Sequence, residues 1–133
     1  MKAVVQIDKL PTKGVKVILE GTLTRLMFDF TKHQWNGGGR DDEPHPDNLY
    51  DYESIDLYGQ SYAEIVSAIV NGRYSNDEVQ AITANFINAK DASSSLGEAK
   101  RAEYLQEYDT FQTWREHAKE VAKTAVSLIS TYR

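Results

Sequence analysis

The sequence predicts an α+β fold: a small N-terminal antiparallel β-sheet of two or three strands, a long acidic loop, and a three-helix C-terminal bundle with a long last helix. Three observations predict it. Apolar residues alternate with period two through the first third. Glycines, prolines and short polar residues fill the middle. From Gln60 onward apolar residues recur every three or four positions. With 133 residues, 41% hydrophobic and 26% charged, the chain is sized for one domain over 1–133. It divides into a β-rich part at 1–35, the acidic loop at 36–59 and a helical part at 60–133.

Each element follows from local pattern. Ala3, Val5 and Ile7 alternate, then Pro11 and Gly14 break the run. Val15, Val17 and Leu19 share a face opposite Lys16, Ile18 and Glu20, and Gly21 suits a turn. Leu26, Phe28 and Phe30 alternate with Met27, Asp29 and Thr31. Leu23 has the opposite parity to Leu26, which places a β-bulge near Thr24–Arg25. The stretch NGGGRDDEPHPDNLYDYESIDLYGQ then reads as irregular. Ser61-x-x-Glu64 and Ser75-x-x-Glu78 are capping boxes that open two helices, with Asn71-Gly72 closing the first. Ser95-x-x-Glu98 offers a third box. The last helix carries Tyr104, Tyr108, Phe111, Trp114, Ala118, Val121, Ala125, Leu128 and Tyr132, heptad-like from Phe111 onward, with a local break at Asp109-Thr110.

Composition excludes several classes of function. The chain has no cysteine, so disulfides, thiolate metal sites and thiol catalysis are out. The N-terminus lacks a signal-peptide core, and no apolar run approaches the roughly 18 residues of a membrane helix. Synthesis in the cytoplasm and no membrane contact are expected. Net charge is −5, unevenly spread. Residues 1–40 hold seven Lys/Arg against three Asp/Glu, and residues 41–72 hold eight acids and no Lys or Arg. That acidic middle argues against nucleic acid as a partner.

The chemical motifs are weak. His33, Asp41, Asp42, Glu43, His45 and Asp47 match no metal-ligand spacing, and a solvated loop is the better reading. NGGGR lacks the Gly-Lys-Ser/Thr ending of a phosphate loop. His117, with Glu116 and Glu120 beside it, reads as helix-surface electrostatics. No catalytic residue, metal or cofactor is expected. Tyr50, Asp51, Tyr52, Glu53 and Asp56 interleave rings and acids, which reads either as a loop that tucks its rings onto the core or as a surface suited to a basic protein partner. Trp114, Val121 and Leu128 mark the long-helix stripe, which reads first as core packing against the other helices and second as a partner-binding face, open to self-association because the shorter helices leave its distal end, from Val121 to Tyr132, uncovered. Arg73, Tyr74, Ser75 and Glu78 form a structural turn, with Arg73 and Tyr74 pinning it to the last helix.

Over residues 62–123 the chain resembles small helical proteins encoded in the structural-gene regions of tailed bacteriophages and prophages. The resemblance rests on Ile69, Arg73, Tyr74, Ser75, Asp77, Glu78, Ala81 and Ile82, followed by Glu103, Tyr104, Tyr108, Ala118 and Lys119. It implies a non-enzymatic structural or assembly protein, associated with the virion, whose partners are virion components or a host protein, and a homo-oligomer. The competing expectation is an acidic inhibitor of a host nuclease or other basic defence protein, acting by charge mimicry through residues 41–72.

Overall fold

The computed structural model describes residues 2–34 and 48–132. Four strands, β1 (Lys2–Gln6), β2 (Val15–Glu20), β3 (Leu23–Lys32) and β4 (Leu49–Leu57), precede α1 (Tyr62–Asn71), α2 (Asn76–Lys90) and α3 (Glu98–Thr131). The class is α+β. The sheet is antiparallel throughout, in the order β1-β4-β3-β2.

The fourth strand corrects the expected loop at 36–59. Residues 49–57 form an interior strand, hydrogen-bonded to β1 on one side and β3 on the other. Its alternation runs Leu49, Asp51, Glu53, Ile55 and Leu57 on one face. Two acids among those five disguise the apolar face, and the tyrosines between them have high strand propensity. Residues 35–47, including the metal candidates Asp41, Asp42, Glu43, His45 and Asp47 and all of NGGGR, lie outside the described residues.

β2 and β3 form a hairpin closed by Gly21-Thr22, with Glu20 opposite Leu23 and Gly21 at φ +60°. A positive φ at the first central residue suits the right-handed twist of the strands, and glycine adopts it without strain. The pairing runs unbroken through Thr24 and Arg25, so no bulge sits there. Leu23 simply faces away from the core. The bulge lies at Asp29–Phe30, where Phe28 opposes Glu53 but Thr31 opposes Asp51. Asp29 takes the extra position at φ +56°, a region an aspartate tolerates better than most side chains.

One face of the sheet meets the helices. Val15, Val17, Leu26 and Phe28 pack on Ile65 and Ile69 of α1 and on Trp114, Ala118, Val121, Ala122, Ala125 and Ile129 of α3. Ala118, Ala122 and Ala125 are fully buried, and their small side chains let α3 lie close to its neighbours. The buried α3 positions run 111, 114, 118, 121, 122, 125 and 129. Ile129, not Leu128, takes the last core place, because a straight helix follows a period of 3.6 and not the heptad's 3.5. Leu128 packs half-buried beside it. The distal end expected to stand uncovered is therefore covered by the sheet.

Helix ends follow the capping chemistry in two cases of three. Ser61 Oγ accepts from the Glu64 N–H, and Ser75 and Glu78 complete a reciprocal capping box. α3 starts instead at Glu98 with Gly97 as its cap, which has no side chain to donate or accept. It also runs unbroken through Asp109-Thr110. Arg101 of α3 donates to the carbonyls of Ala89 and Asp91 at 2.5 and 3.3 Å, capping the C-terminal end of α2 with a cation. Phe86 and Tyr108 stack at 3.7 Å to hold the two helices together. No described helix is long and apolar enough to cross a membrane.

Among the described residues, one buried side-chain oxygen lacks a hydrogen-bond partner: the hydroxyl of Thr24, which is 1% exposed. Thr24→Val keeps the shape and removes the buried hydroxyl. It is expected to stabilise the protein by about 1 kcal/mol, a rise in Tm of roughly 3–5 °C by thermal denaturation.

Candidate functional site

The alternation of β4 sends its side chains to two different places. Tyr50, Tyr52, Ser54 and Asp56 share the sheet face opposite the core, while Asp51, Glu53, Ile55 and Leu57 share the helix side. Cross-strand register adds Ile18 from β2 and Arg25 and Met27 from β3 to the first set. The bulge at Asp29 reverses the parity of β3, so Phe30 joins that face as well. Its ring stacks on Tyr52, with centroids 5.4 Å apart. Without the bulge Phe30 would point into the helices. Arg25 and Asp56 form a two-pronged ion pair there, at 2.9 and 3.2 Å.

The acids of β4 are engaged within the chain. Asp51 meets His33 Nδ1 at 2.8 Å, and Asp56 meets Arg25. Glu53 lies 3.6 Å from Arg73. The hydrogen bonds from Arg25 hold the Asp56 carboxyl below the usual aspartate range, and Asp56 in turn raises the Arg25 guanidinium.

The joint between α1 and α2 forms a second cluster. The amides of Arg73 and Tyr74 both donate to Val70 O, which turns the chain back toward α3. The Arg73 guanidinium lies 3.5 Å above the Trp114 ring, and Tyr74 meets Phe111 edge-on at 5.1 Å. Gly72 makes the approach possible: a Cβ there would stand 2.6 Å from Ile55 Cδ1. Trp114 Nε1 donates to Ile69 O at 3.3 Å, tying α3 to α1. His117, one turn further along α3, bonds Asp29 at the bulge through Nε2 at 2.6 Å.

Sequence reasoning left Trp114 and Val121 between core packing and a partner-binding face. They are 8% and 5% exposed, buried in the chain's own core, and Leu128 packs against that core. The stripe is therefore consumed internally. Tyr50, Tyr52 and Asp56 do come together on one face, whereas Asp51 and Glu53 point to the other. The pairs Asp29–His117, Glu53–Arg73 and Asp51–His33 had no local signal, since each joins distant elements. The lone acid in the apolar run MFDF was the one hint, marking where β3 leaves its alternation. Among the described residues, no group of three or more His, Asp or Glu is placed to hold a metal.

No protein family, curated protein or solved structure matches this chain.

Arg73→Ala removes the contact that pins the joint. A loss of about 1 kcal/mol, or roughly 3–6 °C in Tm, is expected, and Arg73→Lys should recover only part because an ammonium cannot lie flat on the indole. The Arg25–Asp56 pair adds stability at pH values above the ordinary aspartate range and loses it as pH falls through the lowered range of Asp56. The Tm of Asp56→Asn should thus lie slightly below wild type at neutral pH and converge with it in acid, measured by scanning calorimetry across pH.

Proposed function

We propose that this chain is a non-enzymatic structural or assembly protein of a tailed bacteriophage or prophage, working through protein–protein contacts. The observation that carries this reading is the second face of the sheet. Antiparallel sheets with helices on one side usually turn polar residues outward. Here Ile18, Phe30, Tyr50 and Tyr52 lie half-buried on that face around a buried Met27, and the core contacts of the described helices all lie on the opposite one. A face of apolar and aromatic side chains bordered by an ion pair has the make-up of a protein contact surface. Tyrosine and phenylalanine supply contact area with few rotatable bonds to immobilise. The resemblance of residues 62–123 to phage structural-region proteins supplies the setting, with synthesis in the host cytoplasm and a place in the virion or its assembly line.

Self-association belongs to the same proposal. It uses the sheet face, because the α3 stripe is buried against the sheet. The charge-mimicry reading loses support from Asp51, Glu53 and Asp56. Each faces a cation or histidine of its own chain, so little free negative charge is left on β4 to imitate a nucleic acid.

Deleting the gene from the phage or prophage that carries it tests the reading. Infectious particles should be lost while lysis keeps its timing, and a copy encoding Tyr52→Asp should fail to complement while the purified variant stays folded. Normal particle yield after deletion would overturn the assembly role.

A further inference from the structure

α2 and the first part of α3 form a two-helix arm that no third layer covers among the described residues. α2 packs against α3, and Ala89 is its one buried residue. The buried residues of α3 begin at Phe111, so residues 98–110 contribute none. The Phe86–Tyr108 stack and Arg101 on the end of α2 hold the arm together. A pair of helices leaves apolar side chains facing water unless another layer meets them. Val79 and Leu105 are half-buried here, and Ile87 is 64% exposed.

The arm has two seams. One holds a pocket lined by Ala81, Ile82 and Asn85 of α2 and by Gln106, Glu107 and Thr110 of α3. Helical spacing sets Ile87 and Lys90 of α2, and Leu105 and Asp109 of α3, along the opposite seam. Phe86 lies level with Tyr108, and the two helices run in opposite directions. From the α1–α2 joint outward, this seam therefore reads Asp109, Ile87, Leu105, Lys90. Both charges are exposed, and neither has an ion-pair partner among the described residues. The Asp109 carbonyl accepts from Thr113 but its carboxylate meets no donor, and Lys90 lies 5.8 Å from the Phe86 ring.

We infer that this seam docks onto the same seam of a second copy, antiparallel about a two-fold axis. A strip that reads acid, apolar, apolar, base is its own complement when reversed. Asp109 of one copy meets Lys90 of the other, Ile87 meets Leu105, and each contact occurs twice. Two helices become four, the arrangement in which amphipathic helices bury a shared apolar stripe. The order and sign of the charges match a second copy without calling on any other sequence. The contact goes beyond the assembly reading above, because it uses neither the open sheet face nor the phage setting.

Sedimentation equilibrium of the full chain, from micromolar to millimolar concentration, tests the contact. The wild type should pass from monomer to dimer as concentration rises. Ile87→Glu should weaken dimerisation roughly a hundredfold, since each dimer loses two apolar contacts. Lys90→Glu should weaken it about tenfold, and adding Asp109→Lys should restore the wild-type constant by exchanging the charges. Tyr52→Asp, which alters the sheet face, should leave this dimer intact. Circular dichroism checks that every variant keeps its helix content. A wild type that stays monomeric throughout, or an Ile87→Glu variant that dimerises as well as wild type, would overturn the assignment. So would a charge-exchanged double variant no tighter than Lys90→Glu, or loss of all association in folded Tyr52→Asp.

Discussion

The indole of Trp114 is the point through which the layers of this protein are joined. Its N–H bonds the Ile69 carbonyl at the end of α1, one face takes the Arg73 guanidinium, and its ring sits 6.2 Å from Phe28 of β3. A single side chain on α3 therefore fixes the neighbouring helix, the joint that follows it and the depth at which the sheet packs. An indole is suited to this because it combines a large apolar ring with one N–H donor and an electron-rich face. The bulge of β3 depends on the same region of α3, since Asp29 is held by His117 one turn beyond Trp114. Through that bulge, α3 also decides which way Phe30 faces, and so what the far side of the sheet displays.

How much of this was legible in the sequence depends on how local the cause was. The helices read well, because a 3.6 period and the caps Ser61 and Ser75 are short-range signals. The β2–β3 hairpin read well for the same reason. β4 did not, because Asp51 and Glu53 stand where apolar residues are expected, and the groups that accept them, His33 and Arg73, come from elsewhere in the chain. The bulge was expected at the wrong end of β3, since the parity of Leu23 only reports a residue facing outward, while the true bulge is stabilised by a histidine from the last helix. The break expected at Asp109-Thr110 is absent, because Phe111 and Trp114 bury the turn that follows and packing outweighs local propensity.

The candidate sites divide in the same way. Tyr50, Tyr52 and Asp56 were recognised together, and strand period two is what brings them to one surface. The distal part of α3, from Val121 to Tyr132, was expected to lack cover because α1 and α2 are short. The missing cover is the sheet, whose extent was underestimated by the interior strand. Arg73 was singled out because capping did not account for it. Its structural role comes from the flat guanidinium resting on an indole that no sequence pattern ties to it.

The strand order carries a consequence for how the chain acquires its shape. β1 is made first but pairs with β4, so Lys2 must find Glu53 across the whole β2–β3 hairpin. The hairpin, closed by a two-residue turn, forms on the timescale of microseconds, whereas β1 has no partner until the ribosome has released β4. Val4, half exposed even in the finished sheet, then sits on an unsatisfied edge. During that interval the growing chain presents β1 as an unpaired ribbon, open to pairing with another nascent copy before its own fourth strand arrives.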